Sequence, residues 1–319
     1  MTHQTEEPLT EGRPFALYPL LLVGLSSFAL SPILIRFATD VPALSLAVWR
    51  TIFSVLMLAP FAVGSIGTEI RKFTSRDIRL IIVAGVLLAL HFVTWITSLY
   101  HTSVASASVL VSLSPIFLAI LGVFVLKEKL GRPTVIAIGL AVGGTILIGA
   151  GDLGSASPTA ANPVLGNSLA TTAAFFVSCY LLIGRVMRQK ASWLAYVFCM
   201  YSVVAVVVLV VALIAGTPLL GFEPRIYFLC ALMALGPQII GHGSFNYALK
   251  FMPAALLGLL SLTEPVGGSV LAYFLFDEMP SIPGLAGMII VLLAVIGALL
   301  PRRRSTPSPS PSAGGGERA

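Results

Sequence analysis

Apolar residues follow one another along this chain in long stretches, with short polar segments between them. Ten of these stretches have about the 20 residues that an α-helix needs to cross a bilayer. They cover residues 17–35, 44–64, 78–100, 103–126, 133–150, 164–184, 193–215, 226–249, 253–276 and 284–300. The pattern predicts an all-α integral membrane protein with ten transmembrane helices.

The polar segments between the stretches are too short to hold a soluble domain. We therefore expect two membrane units, residues 17–150 and 164–300, joined by an external linker at residues 151–163. Residues 1–16 lack the basic start and the cleavage site of a signal peptide, so we expect a cytoplasmic tail and a first helix that stays in the mature chain. Residues 301–319 are rich in Arg, Pro, Ser and Gly, which predicts a disordered cytoplasmic tail.

Composition and charge agree with this topology and orient it. Of all residues 57% are hydrophobic and 10% are charged, whereas a soluble protein carries about 25% charged residues. If the N-terminus is cytoplasmic, sixteen of the nineteen Lys and Arg residues lie on that side, while Arg36 and Arg225 lie outside and Arg50 lies within the second stretch. This asymmetry predicts that both termini are cytoplasmic, in a plasma membrane such as the bacterial inner membrane. Because the charges are dispersed over separate loops, we expect no nucleic-acid partner.

An internal repeat becomes visible when the chain is shifted by 150 residues. The segment ASASVLVSLSPIFLAILGVFVLKEKLGRP then lies over ALLGLLSLTEPVGGSVLAYFLFDEMPSIP, so that Pro115 and Glu128 meet Pro265 and Glu278. Each unit holds five predicted helices, and an odd number means that the second unit enters the membrane from the opposite side. Inverted repeats of this kind are the usual architecture of secondary transporters, which bind substrate near the bilayer midplane between the two units.

A known family shares these motifs. The proline followed by a glutamate thirteen residues later, present in both units, resembles the EamA-type transporters of the drug/metabolite transporter superfamily. The segments RFATDVPALSLAVWR, HFVTWITSLYHTSVASASVLVSLSP and LGPQIIGHGSFNYALKFMPAALLGLLSLTEPVGGSVLAYFLFDE are also similar to that family. The resemblance covers roughly residues 17–300 and implies an exporter or facilitator of small metabolites, often amino acids or related compounds.

Glu264 is the most informative candidate for a functional residue. It lies about halfway along the ninth predicted helix with no charged residue nearby in the sequence, and an ionised group in hydrocarbon is costly. We expect it to face a cavity between the units. Three roles remain open: binding a substrate amine, carrying a coupling proton, or stabilising a helix break by hydrogen bonding. Burial favours the neutral carboxylic acid, unless a cation, His91 or His242 holds the group charged.

Other polar residues inside the predicted helices share helical faces. His91 and Trp95 lie on one face of the third helix, and Gln238, His242 and Asn246 lie on one face of the eighth. The face on the eighth helix is interpreted either as cavity lining or as a packing seam with hydrogen bonds between helices. His91 is compatible with substrate binding, pairing with Glu264 or a structural role, and Trp95 with stacking on a ligand.

Prolines mark candidate hinges. Ser114 precedes Pro115 at the repeat position that matches Glu264, which precedes Pro265. A proline removes one hydrogen bond of a helix and opens a carbonyl group. The Ser-Pro and Glu-Pro steps are therefore predicted as hinges or binding steps, with Ser114 as a further site candidate. Pro32 and Pro237 are additional hinge candidates.

Two arginines near the predicted outer face have competing interpretations. Arg50 is placed in the outer third of the second helix, from which its side chain could extend to the interface as an anchor; a pathway role, such as attracting a carboxylate, is the alternative. Arg36 at the outer end of the first helix has the same two interpretations, and a pathway role of either arginine would be that of an external gate.

The sequence offers no motif for other chemistry. There is no phosphate-binding G-x4-G-K-[ST] loop and no protease or hydrolase signature, so we expect neither an enzyme nor direct ATP-driven transport. No Cys/His spacing resembles a metal site, and we expect no metal and no cofactor. The expected partners are a small-molecule substrate and the lipid bilayer, for a monomer or an oligomer. A channel and a membrane enzyme acting on a lipid-soluble substrate remain the alternatives to a transporter.

Overall fold

The computed structural model describes residues 14–102, 104–152, 162–276, 279 and 281–299. Its regular elements are all helices, as the sequence predicts. We number the membrane helices α1 to α10, and three of them consist of consecutive segments. They are α1 (Leu17–Arg36), α2 (Ala43–Ala62), α3 (Ser75–Ser98), α4 (Val104–Val111 and Ser114–Val125), α5 (Arg132–Asp152), α6 (Pro163–Met187), α7 (Trp193–Ile214), α8 (Pro224–Met233, Ala234–His242 and Gly243–Ala248), α9 (Ala254–Ser261 and Glu264–Phe276) and α10 (Ile282–Leu299).

Within the described residues, nine helices are long and apolar enough to cross a membrane. The tenth, α5, contributes a shorter apolar stretch over Arg132–Ile148. The predicted tails and most of the linker lie outside the described residues, as does Glu278 of the repeat motif. The fold class is therefore the predicted one, an all-helical membrane protein of two five-helix repeats.

Three of the long apolar stretches are interrupted helices, each at or beside a predicted proline hinge. The turn at Ser112 and Leu113 separates the two segments of α4, and the turn at Leu262 and Thr263 separates those of α9. In α8, the middle segment Ala234–His242, which contains Pro237, is a π-helix. π-helical insertions of this kind occur frequently at functional sites. Helix α1, by contrast, continues without interruption through Pro32.

Helix packing repeats itself when every helix number is shifted by five. The contact of α3 with α6 corresponds to that of α8 with α1, and the contact of α4 with α6 corresponds to that of α9 with α1. In three further pairs, the shift by five only exchanges the two helices: α2 with α7, α4 with α9 and α5 with α10. This pattern is expected of two repeats related by a pseudo-twofold axis, and it agrees with an inverted arrangement.

The pair α5 and α10 crosses at two glycines. A Cβ atom built on Gly144 would lie 2.8 Å from the carbonyl oxygen of Gly287, and one built on Gly287 would clash with the carbonyl oxygen of Gly144. Larger residues at either position would push the helices apart. Small residues therefore set the close approach of the two repeats here, as at many membrane helix interfaces.

The two ends of the bundle differ. We call the end with the loops after α2, α4, α6 and α8 the inner end, after the predicted orientation, and the opposite one the outer end. At the inner end, the second segment of α4 packs against the first segment of α9. The outer segments of the same helices make no packing contact of comparable extent within the described residues. Helices α4 and α9 are therefore in contact at the inner end and apart at the outer end, which indicates that the space between the repeats opens towards the outer end.

Polar contacts across the two repeats reinforce the closed inner end. Lys190 donates to Asp77 at 3.0 Å, and Arg185 pairs with Glu128 at 3.3 Å. The backbone N–H of Ser192 donates to the Glu69 carboxylate at 2.6 Å. In each contact, the acidic residue belongs to the first repeat. The donor belongs to the second repeat and lies in the last turn of α6 or in the loop that follows it.

Candidate functional site

A cavity lies between the repeats at the level of the helix interruptions. It has an empty volume of about 710 Å³, including its open mouth. Helices of both repeats contribute its walls, among them the interrupted helices α4, α8 and α9. The lining residues are Phe28, Ser31, Arg50, His91, Phe92, Trp95, Val111, Ser112, Ser114, Val177, Tyr180, Leu181, Pro237, His242, Phe245, Gly258, Ser261 and Glu264.

Glu264 lies in the cavity wall at the start of the second segment of α9. Its side chain is partly buried. Among the described residues, no side chain or backbone group donates a hydrogen bond to its carboxylate, and no cation lies within ion-pair distance of it. The carboxylate is thus available to a group that enters the cavity.

Ser114 occupies the matching place in the first repeat, at the start of the second segment of α4. Its side chain lines the cavity, and its carbonyl oxygen lies 3.1 Å from the hydroxyl of Ser178 on α6. The Ser178 hydroxyl also lies 2.7 Å from the carbonyl oxygen of Ala174 in its own helix. A neighbouring helix thus supplies a polar contact to the backbone at the interruption beside Pro115.

Arg50 is the cation of the cavity wall. Its side chain is only 1% exposed. The guanidinium group lies 4.3 Å from the ring centroid of Phe92, and its Nε donates to the Gln238 side-chain oxygen at 3.1 Å. The Gln238 amide in turn donates to the hydroxyl of Ser54 at 2.6 Å. Neither terminal nitrogen of the guanidinium forms a hydrogen bond within the described part of the chain.

This position corrects the expectation that Arg50 extends to the membrane interface as an anchor. The helix α2 is rotated so that Arg50 points between the repeats, while the neighbouring Trp49 donates its ring N–H to the carbonyl oxygen of Leu219 at the outer end. An unpaired guanidinium is more stable against a π face and an amide oxygen than against hydrocarbon. Arg36, in contrast, is exposed at the outer end of α1, where an anchor or a gate was expected.

Two histidines, one from each repeat, contact each other edge-on in the cavity wall. The ring centroids of His91 and His242 are 5.9 Å apart. The Nδ1 atom of His91 lies 2.9 Å from the carbonyl oxygen of Ala173, so this nitrogen must carry a proton. The neutral ring therefore has its acceptor at Nε2. His242 contacts the hydroxyl of Tyr180 through Nδ1 at 2.8 Å.

Of the residues that the sequence singled out on α3 and α8, some line the cavity and others support it. His91, Trp95 and His242 are lining residues. Gln238 lies behind Arg50 and is completely buried. Asn246 is also completely buried, donates to the carbonyl oxygen of His242 at 2.7 Å, and lies away from the cavity. The shared face on α8 is thus a cavity wall at its centre and a packing seam at its two ends.

Besides the predicted Trp95, the site contains aromatic residues that were not predicted. Phe28 packs edge-on against His242 with ring centroids 4.9 Å apart, Phe92 lies under Arg50, and Tyr180 contacts His242. Phenylalanine inside an apolar helix gives no signal of its own in the sequence. Tyr180 could have been found, because a phenolic hydroxyl in the middle of a membrane helix needs a polar partner.

These features define a class of protein: a multi-pass, all-helical membrane protein in which two related repeats enclose a cavity with polar groups at mid-depth. Comparison with known sequences agrees. The model of the EamA-like transporter family matches residues 16–150 and again residues 164–300. The chain belongs to the EamA-like transporter family, of the drug/metabolite transporter superfamily, and is a membrane transporter.

Individual relatives are distant. A Clostridium kluyveri protein described as an uncharacterized transporter is 22% identical over 251 residues, which are 77% of this chain and 79% of that protein. One solved crystal structure superimposes with a TM-score of 0.71 at 17% identity, and the match covers 88% of this chain and 96% of the other. The structural likeness at this identity concerns the fold alone.

Proposed function

We propose that the protein is a secondary transporter that moves small metabolites, such as amino acids or related compounds, by alternating access. The observation that supports this most is the position of Glu264 in a cavity between two repeats, where α4 and α9 pack together at the inner end and lie apart at the outer end. A channel would need a path through both ends. A cavity open towards one end is the arrangement expected of a carrier in one of its two states.

Glu264 is the proposed site of substrate-amine binding or of proton coupling. A carboxylate at this depth is costly unless it has a partner, and it has none within the described residues. A substrate ammonium group or a proton would each supply that partner. If both bind to the same carboxylate, their binding is mutually exclusive, which couples the movement of one to the movement of the other.

The remaining lining residues have proposed roles in recognition. Trp95 offers a flat surface for an apolar or cationic group, His91 a hydrogen-bond acceptor, and His242 a ring held by Tyr180. Ser114 offers a hydroxyl at the interruption of α4. Gln238 and Asn246 support the wall from behind. Pro115, Pro265 and Pro237, which lie at or beside the interruptions, are the proposed hinges, and Pro32 is a weaker one because α1 is continuous there.

Alternating access follows from the repeat. In the described state, Gly258 of α9 contacts Pro115 and Leu118 of α4 at the inner end: a Cβ on Gly258 would lie 2.7 Å from the Leu118 side chain. With the repeat offset of 150 residues, Gly258 corresponds to Ser108 in the other repeat. Likewise, Pro115 corresponds to Pro265 and Leu118 to Gly268. We propose that the opposite state brings Ser108 against Pro265 and Gly268 at the outer end and separates Gly258 from Leu118.

The orientation and the direction of transport belong to the same proposal. The distribution of basic residues supports cytoplasmic termini in a plasma membrane, the bacterial inner membrane in a bacterium. The described state then faces outward, and the protein acts as an exporter or facilitator of small molecules without a cofactor. Arg36, at the outer end, would contribute to an external gate or anchor.

A counter-flow measurement in proteoliposomes tests this function. Vesicles preloaded with unlabelled amino acid mixtures should take up labelled amino acid faster than empty vesicles, with saturation at high concentration. Ion currents or uptake that rises linearly with concentration would favour a channel. Conversion of the added compound into a new one would favour a membrane enzyme. Uptake equal to that of protein-free liposomes, for amino acids and for amines, would contradict a carrier for these compounds.

A further inference from the structure

The cavity holds a buried cation for which the structure provides no anion. Arg50 is 1% exposed, and no carboxylate of the described residues lies within ion-pair distance of it. Its Nε is used by Gln238, and its charge is partly balanced by the ring of Phe92. The two terminal nitrogens, which form the fork that matches a carboxylate, are left for a group that enters the cavity.

The support behind Arg50 is neutral throughout. The side chain of Gln238 accepts a hydrogen bond from Arg50 and donates one to Ser54. The backbone carbonyl oxygen of Gln238 accepts from the hydroxyl of Tyr201 at 2.7 Å. These contacts fix the orientation of the guanidinium without neutralising it. A glutamate in place of Gln238 would form an ion pair with Arg50 and remove its attraction for an anion. The amide therefore holds the cation in place and leaves its charge available.

The formal charges of the cavity wall indicate the class of ligand. Among the described residues that line the cavity, Arg50 and Glu264 are the charged ones, one of each sign, and no ion pair joins them. A dianionic phosphate group would meet one cation and one carboxylate, which is unfavourable. A molecule with one carboxylate and one ammonium group can satisfy both residues, and the aromatic rings of Phe28, Phe92 and Trp95 suit an apolar remainder.

We propose that Arg50 binds the carboxylate of a zwitterionic substrate and that Gln238 is its positioning residue. The proposal rests on the proposed function, because it assigns the end of the substrate opposite to Glu264 in the same cavity. Arg50 touches the substrate, whereas Gln238 acts through Arg50. Discrimination between a free carboxylate and its uncharged amide then depends on this pair of residues.

The test uses probes that differ only in the charged ends. Alanine, leucine and phenylalanine are compared with their amides and with the corresponding amines, by the thermal stabilisation of the purified full-length protein, because a ligand of the native state raises its melting temperature. For the wild type, we expect stabilisation by at least one free amino acid and an affinity at least about tenfold lower for its amide.

Variants separate recognition from mere packing. Arg50→Met should abolish the preference for the free carboxylate. Gln238→Glu, which keeps the size of the side chain, should reverse it: acids bind at least about tenfold more weakly, and amides and amines bind as well as before or better, since the cavity gains a negative charge. A purely structural role of Gln238 would weaken all probes alike. Gln238→Met, which lacks the amide, should weaken acids without favouring amines.

The outcomes distinguish this proposal from the carrier function. Equal stabilisation by acids and amides, an unchanged preference in Gln238→Glu, or stabilisation by none of the three amino acids would overturn the role of Arg50. Counter-flow of amines in the wild type would then leave the carrier function intact. Stabilisation by an amino acid that undergoes no counter-flow would support the Arg50 subsite and contradict the carrier. Should Arg50→Met fail to fold, the reversed preference of Gln238→Glu decides the matter.

Discussion

At the scale of single residues, the site combines an apolar and aromatic wall with a few polar groups that would be unfavourable in contact with lipid. Glu264 and Arg50 lie in one cavity without an ion pair between them. Two opposite charges in a medium of low dielectric attract one another strongly when they meet. Arg50 and Glu264 both line the cavity but do not touch, so each charge lacks an ionic partner. A bound group, or a change of conformation, would supply that partner.

Replacement of Glu264 by Gln keeps the size of the side chain and removes its capacity for charge. We expect loss of net transport, at least about tenfold, because an amide offers neither a proton site nor an ion pair to an amine. The matched control is Glu223→Gln, at an exposed position before α8. The measurement is the initial rate of uptake into proteoliposomes over a range of pH. Wild-type rates with wild-type pH dependence in Glu264→Gln would remove this carboxylate from the mechanism.

The sequence predicted part of this site for a clear physical reason. A carboxylate in the middle of an apolar helix has to face the protein interior, so Glu264 could be assigned to a cavity from its position alone. The rotation of α2 could not, because Arg50 lies close enough to the outer end for its side chain to reach either the interface or the cavity. The packing of α2 against α7 and α8 decides between these two directions.

At the scale of helices, the interruptions of α4 and α9 shape the site. Each second segment begins with the residue that precedes a proline, Ser114 in one repeat and Glu264 in the other. The prolines made these interruptions predictable. The π-helix of α8 was not predictable in this way, because Pro237 lies within it and a proline alone does not distinguish a kink from a π-helical segment.

A substitution at the contact of α4 and α9 tests their packing. Gly258→Val would place a side chain against Leu118 and Pro115, so we expect a loss of about 1–3 kcal/mol in the state described and a lower melting temperature. Gly268→Val is the control, since no atom lies within 4 Å of the Cβ position there. It should leave the melting temperature unchanged but slow transport, because Gly268 is needed for the proposed outer closure. Equal melting temperatures of the two variants would contradict this packing.

At the scale of the whole molecule, the helix contacts obey the repeat symmetry, whereas the polar contacts between the repeats differ at the two ends. Charged contacts join the repeats at the inner end, including Glu128 with Arg185 and Asp77 with Lys190. At the outer end, Ser45 donates to the carbonyl oxygen of Pro218, and Arg225 donates to that of Phe37. The internal repeat predicts that helix contacts recur in the two units, whereas the end at which the bundle closes could not be predicted, because both closures use equivalent residues.

Removal of one inner ion pair should change how often the inner end opens. Glu128 and Arg185 are partly exposed, with side-chain exposures of 18% and 25%, so the pair contributes about 0.2–1 kcal/mol. In Glu128→Gln, a cysteine at Leu118 should therefore react up to about fivefold faster with a thiol reagent added from the cytoplasmic side, in a background without Cys179, Cys199 and Cys230. Glu223→Gln, at the outer end, should leave the rate unchanged. A rate in Glu128→Gln that does not differ from that control would show that the pair has no part in inner closure.

The most direct test of alternating access is a comparison of two cysteine pairs related by the repeat. The inner pair replaces Leu118 and Gly258, and the outer pair replaces Ser108 and Gly268. A short, reducible thiol cross-linker should join either pair but never both in one molecule, each cross-link should stop transport until it is reduced, and substrate should change the yields in opposite directions. Simultaneous cross-linking of both pairs, or full transport activity by a molecule with either pair joined, would contradict the account.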